Sequence, residues 1–263
     1  MKLQANAVRK KLVDGGCATG AAIYSWSPNV IDAAVLAGLD YIRIDAEHAW
    51  RKDDMLEHLI RAAIMGGVVP IVRVDRDDPF LVRKVLEIGA GGVIVPDVSS
   101  ATQAESAVRA AKFPPLGNRG LSRNCWSAAW GTTSGEEWIE WSNREPMIGI
   151  MIENVEAISA IDDIIAVEGL DFVLFGPADY SMSIGLAAPN ANDERVQDAI
   201  AKTAAATRAA GKYFSMVTGN DPEKIDECLR LGVNMLELSN DLGVLRTQWS
   251  QAKTLIGVAN SSA

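Results

Sequence analysis

The chain contains few of the residues that cross-link small proteins or anchor them in membranes. Its three cysteines, Cys17, Cys125 and Cys228, are scattered and form no CxxC pair. We therefore expect neither a disulfide framework nor a structural zinc site. The same usage of cysteine predicts a reducing, cytoplasmic setting. No apolar run approaches the roughly 20 residues of a membrane helix. The basic N-terminus lacks the apolar stretch of a secretory signal.

Positive charge and histidine are also scarce. The 263 residues carry 25 Lys and Arg against 34 Asp and Glu, which gives a net charge of -9. Nucleic acids and anionic membranes bind clustered Lys and Arg, so neither is an expected partner. Only two histidines are present, His48 and His58, and they are the natural candidates for a general base that titrates near neutral pH.

Short apolar segments alternate with amphipathic ones along the chain. The predicted strands cover residues 18–24, 41–46, 69–75, 92–98, 148–153, 171–176, 213–217 and 234–239, with helical patterns in most of the gaps. This alternation predicts a (β/α)8 or TIM barrel, with residues 1–263 as a single domain. The main alternative is a doubly wound open sheet, but no glycine-rich phosphate-binding motif follows the first predicted strand.

One predicted connection is unusually long. Residues 113–147 hold Trp126, Trp130, Trp138 and Trp141, four of the seven tryptophans. A long aromatic connection in a compact domain is more often a functional lid or an interface than a plain linker. We therefore expect this segment to have one of these roles.

Charged residues gather at the ends of the predicted strands. The segment "LDYIRIDAEHAW" alternates Ile42 and Ile44 with Arg43, Asp45 and Glu47, so the two sets point to opposite faces of the strand. In a barrel of parallel strands, chemistry takes place at the C-terminal ends of the strands. The charged set is therefore expected to point into the mouth of the barrel.

Two carboxylates, Glu153 and Asp179, follow consecutive predicted strands. Neighbouring strands are about 4.8 Å apart, so the pair can hold Mg²⁺ or Mn²⁺, with water or substrate oxygens as further ligands. In the alternative, Glu153 caps the next helix and Asp179 forms a turn. The motif "FGPAD" also places Gly176 and Pro177 before a helical run, where free backbone N–H groups suit an anionic substrate group.

Several side chains near the predicted mouth are candidates for proton transfer or anion binding. His48 suits a general base, with a structural or merely exposed histidine as the alternative. Arg73 suits a donor to a carbonyl or oxyanion, with a salt bridge to nearby acids as the alternative. Arg119 and Arg123 suit a substrate carboxylate, but solvated or interface arginines explain them equally well.

Taken together, the strand ends resemble one family, the class II metal-dependent pyruvate aldolases of the HpcH/HpaI type. The resemblance covers nearly the whole chain. The blocks that carry it occur in family order: "LAGLDYIRIDAEHAW", "VPIVRV", "GAGGVIVPDV", "AVRAAKFPPLGNRG", "MIENVEAI" and "DFVLFGPADYSMSIG".

The resemblance implies a metal-dependent active site. It implies that Glu153 and Asp179 bind a divalent ion (Mg²⁺, Mn²⁺ or Co²⁺), that Arg73 contacts the pyruvate carbonyl oxygen, and that His48 serves in acid–base chemistry. The backbone at Ala178 and Asp179, next to Gly176 and Pro177, would receive the pyruvate carboxylate. The barrel would form a homo-hexamer, a trimer of dimers that exchange a C-terminal helix.

The chain also departs from the family pattern. The helix after "DP" carries Glu87 where the partner of the histidine is usually an aspartate, so Glu87 is predicted to take that role. Trp50 stands where a proline is common, and we include it with Arg123 among the predicted substrate-binding residues. The stretch "RGLSRNCWSAAWGTT" differs from the usual "RGVGS" form and leaves the aldehyde undefined.

These observations predict a reversible lyase that cleaves a 4-hydroxy-2-oxo acid into pyruvate, or a related 2-oxo acid, and an aldehyde. A Schiff-base mechanism would need a lysine at a strand end, and Lys52 is the only one near the mouth. Two alternatives stay open. One is a malyl- or citramalyl-CoA-type thioester lyase, and the other is a barrel that binds 2-oxo acids without turnover.

Overall fold

The computed structural model describes residues 3–49 and 53–261 and shows a closed barrel of eight parallel strands paired in chain order. The strands are β1 (Ala18–Ile23), β2 (Tyr41–Asp45), β3 (Val69–Arg73), β4 (Gly92–Val95), β5 (Met147–Ile152), β6 (Phe172–Phe175), β7 (Tyr213–Val217) and β8 (Met235–Asn240). The first six helices are α1 (Ala7–Val13), α2 (Pro28–Leu36), α3 (Asp53–Gly66), α4 (Pro79–Ile88), α5 (Ala101–Ala111) and α6 (Gly135–Arg144). The remaining helices are α7 (Val155–Ser159), α8 (Ile161–Ile165), α9 (Pro177–Ser183), α10 (Glu194–Ala209), α11 (Pro222–Arg230) and α12 (Asp241–Ser261).

Local sequence signals set the ends of the helices. In α4, the Asp78 side chain accepts the N–H of Leu81 (2.8 Å), Pro79 occupies the first turn, and Gly89 ends the helix with a φ of 109°. A capping carboxylate, an N-terminal proline and a left-handed glycine are the standard start and stop signals of a helix. The same logic starts α7, where Asn154 accepts the N–H of Ala157 at 2.8 Å.

The strands separate two apolar layers. Ile42 and Ile44 of β2 belong to the large cluster between the sheet and the helices, whereas Tyr41 belongs to the cluster that fills the barrel. Glycine makes room inside the barrel: a Cβ on Gly149 would lie 2.2 Å from the ring of Phe172. The predicted parity of β2 is therefore confirmed, and Arg43 and Asp45 point into the lumen.

The barrel predicted from the sequence is confirmed, with small shifts at the strand ends. The fourth strand ends at Val95 and not at residue 98, because Pro96 has no N–H to donate and Asp97 turns the chain with a φ of 50°. No helix in the described ranges is long and apolar enough to cross a membrane. The assignment of residues 1–263 to one domain and the exchange of the C-terminal helix stay predictions.

The tryptophan-rich segment packs at the end of the barrel opposite the mouth, so it does not form a lid over its own barrel. It joins the end of α5 to the start of β5, both of which lie at the N-terminal ends of the strands. Phe113, Cys125 and Trp138 form a small core. The Trp126 ring packs on Gly89 at the end of α4, where a Cβ would come within 2.5 Å of it. An interface role stays a prediction.

Candidate active site

A chain of buried ion pairs crosses the mouth of the barrel from β8 to β3. The carboxylate of Glu237 accepts hydrogen bonds from Nε (2.7 Å) and Nη2 (2.9 Å) of Arg43. Arg43 also donates through Nη1 to Asp45 (2.8 Å). Asp45 in turn accepts Nη2 of Arg73. Each carboxylate is therefore paired with a guanidinium, which is what makes buried charge tolerable.

Asp45 holds this network in place and also shapes the loop after β2. Its side chain is fully buried, and its Oδ1 accepts the N–H groups of Glu47 (3.1 Å) and His48 (2.8 Å). Burial alone would raise the pKa of Asp45, but the charges of Arg73 and Arg43 outweigh it and hold the pKa below its usual range. The ionised carboxylate thus fixes both Arg73 and the backbone of His48.

His48 lies at the rim of the mouth with 61% of its side chain exposed, and its Nε2 is 3.6 Å from Glu47 Oε2. Glu47 also lies 2.9 Å from Nη1 of Arg73. The structure therefore brings the predicted base and the predicted oxyanion donor to the same carboxylate. Arg73 is only 4% exposed, and its Nε has no hydrogen-bond partner within the described ranges.

Glu153 and Asp179 meet at the ends of β5 and β6 because these strands are in register. Ile152 pairs with Phe175, so Glu153 and Gly176 leave the sheet side by side. A Cβ on Gly176 would lie 2.7 Å from Oε2 of Glu153 and 2.9 Å from its Cβ. Glycine at this position is therefore what lets the buried Glu153 side chain lie over the end of β6.

The electrostatics at Glu153 fit a cation. Burial raises the pKa of Glu153 to about 7, together with the negative charges of Asp179 and Glu47 and against the opposing N–H of Asp97, which donates at 2.7 Å. Like charges held together in this way favour a bound proton or a metal ion. The described residues contain no group of three or more His, Cys, Asp or Glu side chains placed to hold a metal. The fit therefore rests on two carboxylates completed by water or substrate oxygens, a set that suits Mg²⁺ or Mn²⁺.

The start of α9 presents backbone donors beside this pair. The first hydrogen bond of the helix runs from the N–H of Tyr180 to the carbonyl of Gly176 (3.0 Å). The N–H groups of Ala178 and Asp179 precede it and have no acceptor within the helix. Pro177 opens α9 and needs no acceptor, since proline has no N–H.

Two predicted site residues are not brought to the mouth within one chain. Glu87 lies in the last turn of α4, about 12 Å along the helix from its start at the mouth, and its Oε1 is 4.0 Å from Nε of Arg83. Arg123 is exposed and donates to the carbonyl of Thr133 (2.9 Å) in the tryptophan-rich segment. Arg119 packs against Phe113 and Trp138 of the same segment. A role of Arg123 in substrate binding therefore stays a prediction, one that the mouth of its own chain does not supply. Trp50 and Lys52 lie outside the described residues.

Sequence reasoning missed three residues that support the site. The sequence puts Arg43 on a predicted strand, but its pairing with Glu237 depends on how β8 and β2 flank β1 in the closed barrel, where Gly20 pairs with both Glu237 and Tyr41. Asp97 carries the N–H that holds Glu153 and accepts Nδ2 of Asn154 (2.7 Å). Its only signal in the sequence was its place after Pro96.

The chain is similar in sequence to proteins of one known family. A model of the HpcH/HpaI aldolase/citrate lyase family matches residues 23–247. The 2-keto-3-deoxy-L-rhamnonate aldolase of Klebsiella pneumoniae is 32% identical over 240 residues, which cover 91% of this chain and 88% of that protein.

Solved structures match over almost the full length. An HpcH/HpaI aldolase from Desulfitobacterium hafniense superposes with a TM-score of 0.90 at 32% identity, over 96% of this chain and 97% of that one. The citrate synthase SbnG superposes with a TM-score of 0.89 at 30% identity, over 99% of this chain and 100% of that one. The chain therefore belongs to the HpcH/HpaI aldolase/citrate lyase family and is a carbon–carbon lyase, as its strand-end motifs predicted.

Proposed function

We propose that this chain cleaves a 4-hydroxy-2-oxo acid to pyruvate, or a close 2-oxo acid, and an aldehyde. One observation carries the proposal: the Glu153–Asp179 pair, the buried Arg73 and the exposed His48 face the same mouth of the barrel. The name of the Klebsiella relative supports a 3-deoxy sugar acid as a substrate.

In this proposal, the 2-oxo acid is held by charge and by backbone donors. The free N–H groups of Ala178 and Asp179 receive its carboxylate, next to Gly176 and Pro177. Arg73 donates its unpartnered Nε–H to the keto oxygen and stabilises the negative charge that gathers there as the carbon–carbon bond breaks. Since Asp45 and Glu47 already hold the other end of the guanidinium, the donor is oriented before the substrate arrives.

Glu153 and Asp179 are the residues that would hold a divalent ion, with Mg²⁺, Mn²⁺ and Co²⁺ as the candidates. When bound, the ion supplies Lewis-acid polarisation of the 2-oxo acid. The chain itself keeps Glu153 in place through the N–H of Asp97 and the space above Gly176.

His48 takes the proton from the 4-hydroxyl in this proposal. Its exposure at the rim suits a substrate that enters from solvent, and the nearby Glu47 stabilises the imidazolium that forms. Glu87 stays the predicted partner of His48, but only a second chain could bring it there. We therefore include a homo-hexamer with an exchanged C-terminal helix in the proposal.

The test is pyruvate release from a panel of 4-hydroxy-2-oxo acids by protein loaded with Mg²⁺, Mn²⁺ or Co²⁺. Glu153→Ala and Asp179→Ala should each abolish release and weaken Mn²⁺ binding. The matched control is Asp198→Asn, an exposed carboxylate of α10, which should behave like the wild type. Wild-type turnover in both site variants would disprove the assigned metal pair.

A thioester lyase is the second candidate, since the family includes citrate lyases by name and SbnG is a citrate synthase. The same panel should therefore contain a malyl- or citramalyl-CoA thioester beside the free acids. Activity on the thioester alone would select this candidate. Pyruvate binding without turnover on any compound would select a binding protein.

A further inference from the structure

A second polar cavity lies outside the barrel, in the groove between α4 and α5. Its volume is about 550 Å³, and its walls run from Asp75 and Asp97 near the mouth to Arg83, Arg119 and Gly120. The four residues to which we assign chemistry, His48, Arg73, Glu153 and Asp179, do not line it. The groove is thus separate from the mouth of its own barrel, and among the residues of the aldolase proposal only Glu87 and Asp97 lie beside it.

Arg119 is the unusual member of this cavity. It is only 5% exposed, and within the described ranges neither its Nε nor its Nη2 has a hydrogen-bond partner. Its guanidinium lies against two rings, with Cζ 4.8 Å from the centroid of Phe113 and 5.5 Å from that of Trp138. Burial lowers the pKa of Arg119 to about 10. A buried guanidinium normally binds a carboxylate or phosphate, because an unpaired buried charge is costly.

A second guanidinium lies beside it. Nη1 of Arg83 is 3.3 Å from the place where a Cβ on Gly120 would stand, and Nε of Arg83 also lacks a hydrogen-bond partner within the described ranges. The nearest carboxylate is Glu87, whose contact with Arg83 is long at 4.0 Å. Arg83 and Arg119 therefore have only Glu87 as a nearby carboxylate within the described ranges, at a long distance from Arg83. This end of the groove has a net positive charge although the protein as a whole is acidic.

We propose that Arg119 and Arg83 form a binding site for a compact oxyanion, a carboxylate or phosphate group of a small molecule, in the groove between α4 and α5. Contact with the two rings limits the movement of the Arg119 guanidinium, whose unpartnered Nε and Nη2 can donate two parallel hydrogen bonds to one oxyanion. Gly120 keeps the space beside Arg83 open, since a side chain there would press on Nη1. The cavity is large enough for a small organic acid or a sugar phosphate.

The test measures binding of inorganic phosphate and, separately, acetate to the full chain by calorimetry and by thermal unfolding. Since Arg73 also suits an anion, the variants are made in an Arg73→Met background. That background should still bind an anion, with a dissociation constant in about the millimolar range. Adding Arg119→Met should weaken binding by roughly tenfold or more, because a charge-assisted bidentate contact is lost. Phosphate and acetate together distinguish the two sources of the oxyanion.

Two further variants make the test specific. Arg83→Met should also weaken binding, and its partly exposed side chain makes it the safer variant if Arg119→Met folds poorly. Arg230→Met, at an exposed arginine paired with Asp226 in α11, should leave binding unchanged. Equal binding with and without Arg119 and Arg83 would overturn the proposal. An Arg73→Met protein that binds neither anion would also overturn it. So would an Arg119→Met change that dissociates the assembly without weakening anion binding, since a carboxylate of a second copy would then be the partner of Arg119.

Discussion

At the scale of single residues, Arg73 shows how a structural and a chemical role combine in one side chain. The sequence left two options for it, a salt bridge with nearby acids or a donor to the substrate. The structure contains the salt bridges, to Asp45 and Glu47, and it also leaves Nε without a partner in the described ranges. The bridges therefore orient the guanidinium without using up its donors.

The first prediction concerns Arg73→Lys. A lysine keeps the charge but loses the planar fork, so it cannot contact Asp45, Glu47 and the keto oxygen together. We expect kcat/KM for pyruvate release to fall by about 100- to 1,000-fold, the usual effect of losing an oxyanion donor. Arg230→Lys serves as the control. Rates near the wild type would leave Arg73 with a structural role only.

The second prediction uses the two histidines as a matched pair. His48→Ala should lower aldol cleavage by roughly 100- to 10,000-fold, as expected for a lost general base, while Mn²⁺ affinity stays close to the wild type. His58→Ala, on the exposed face of α3, should change neither. If His48→Ala still cleaves the substrate, another residue is the general base, and Glu47 is the next candidate. A loss of metal binding would make His48 a support of the site.

At the scale of secondary-structure elements, the order of strands and helices could be predicted because each boundary has a local signal. The capping residue Asp78, the stop at Gly89 and the alternation in β2 are properties of a few neighbouring residues. The placement of Glu87 and Arg123 could not be predicted in this way. It depends on the direction of α4 and on the end of the barrel at which residues 113–147 pack.

The site was predicted where residues follow consecutive strands, as Glu153 and Asp179 do. It was missed where strands far apart in sequence come together, as β2 and β8 do through Arg43 and Glu237. Gly176 was predicted to lie near an anion, but its steric role appears only once β5 and β6 are in register. Close approach between backbones cannot be derived from the sequence of one strand.

The third prediction tests that steric role. In Gly176→Ala, the new Cβ would stand 2.7 Å from Oε2 of Glu153, so the carboxylate must move or the strands must separate. We expect a loss of Mn²⁺ affinity measured by calorimetry and a parallel loss of pyruvate release. Gly135→Ala is the control, since its nearest neighbour, Cδ of Arg123, would be 3.8 Å away. Unchanged metal affinity in Gly176→Ala would show that the added methyl group does not displace the Glu153 carboxylate from its metal-binding position.

At the scale of the whole molecule, α12 is the element that the barrel leaves most exposed. Trp249, Leu255 and Ile256 are 69%, 70% and 63% exposed. Large apolar side chains on one exposed helix are typical of a surface that another chain covers. The proposed exchange of this helix between subunits would bury them.

The fourth prediction follows from that surface. Trp249→Glu combined with Leu255→Glu should reduce the assembly to smaller species, because charge is costly in an apolar interface. Light scattering coupled to gel filtration measures the mass. Gln251→Glu adds a charge to the same helix at an exposed polar position and should keep the wild-type mass. An unchanged mass in the double variant would contradict a role for α12 in assembly.

The central claim is that Glu153 and Asp179 hold a divalent ion on which carbon–carbon cleavage depends. Pyruvate release from a 4-hydroxy-2-oxo acid, followed before chelation, in excess chelator and after Mg²⁺, Mn²⁺ or Co²⁺ is restored, tests it most directly. We predict full loss in chelator and recovery with at least one of these ions in the wild type, and no recovery in Glu153→Ala or Asp179→Ala. Undiminished turnover in chelator, with inactivation by borohydride in the presence of pyruvate, would contradict the claim and indicate a lysine Schiff base instead.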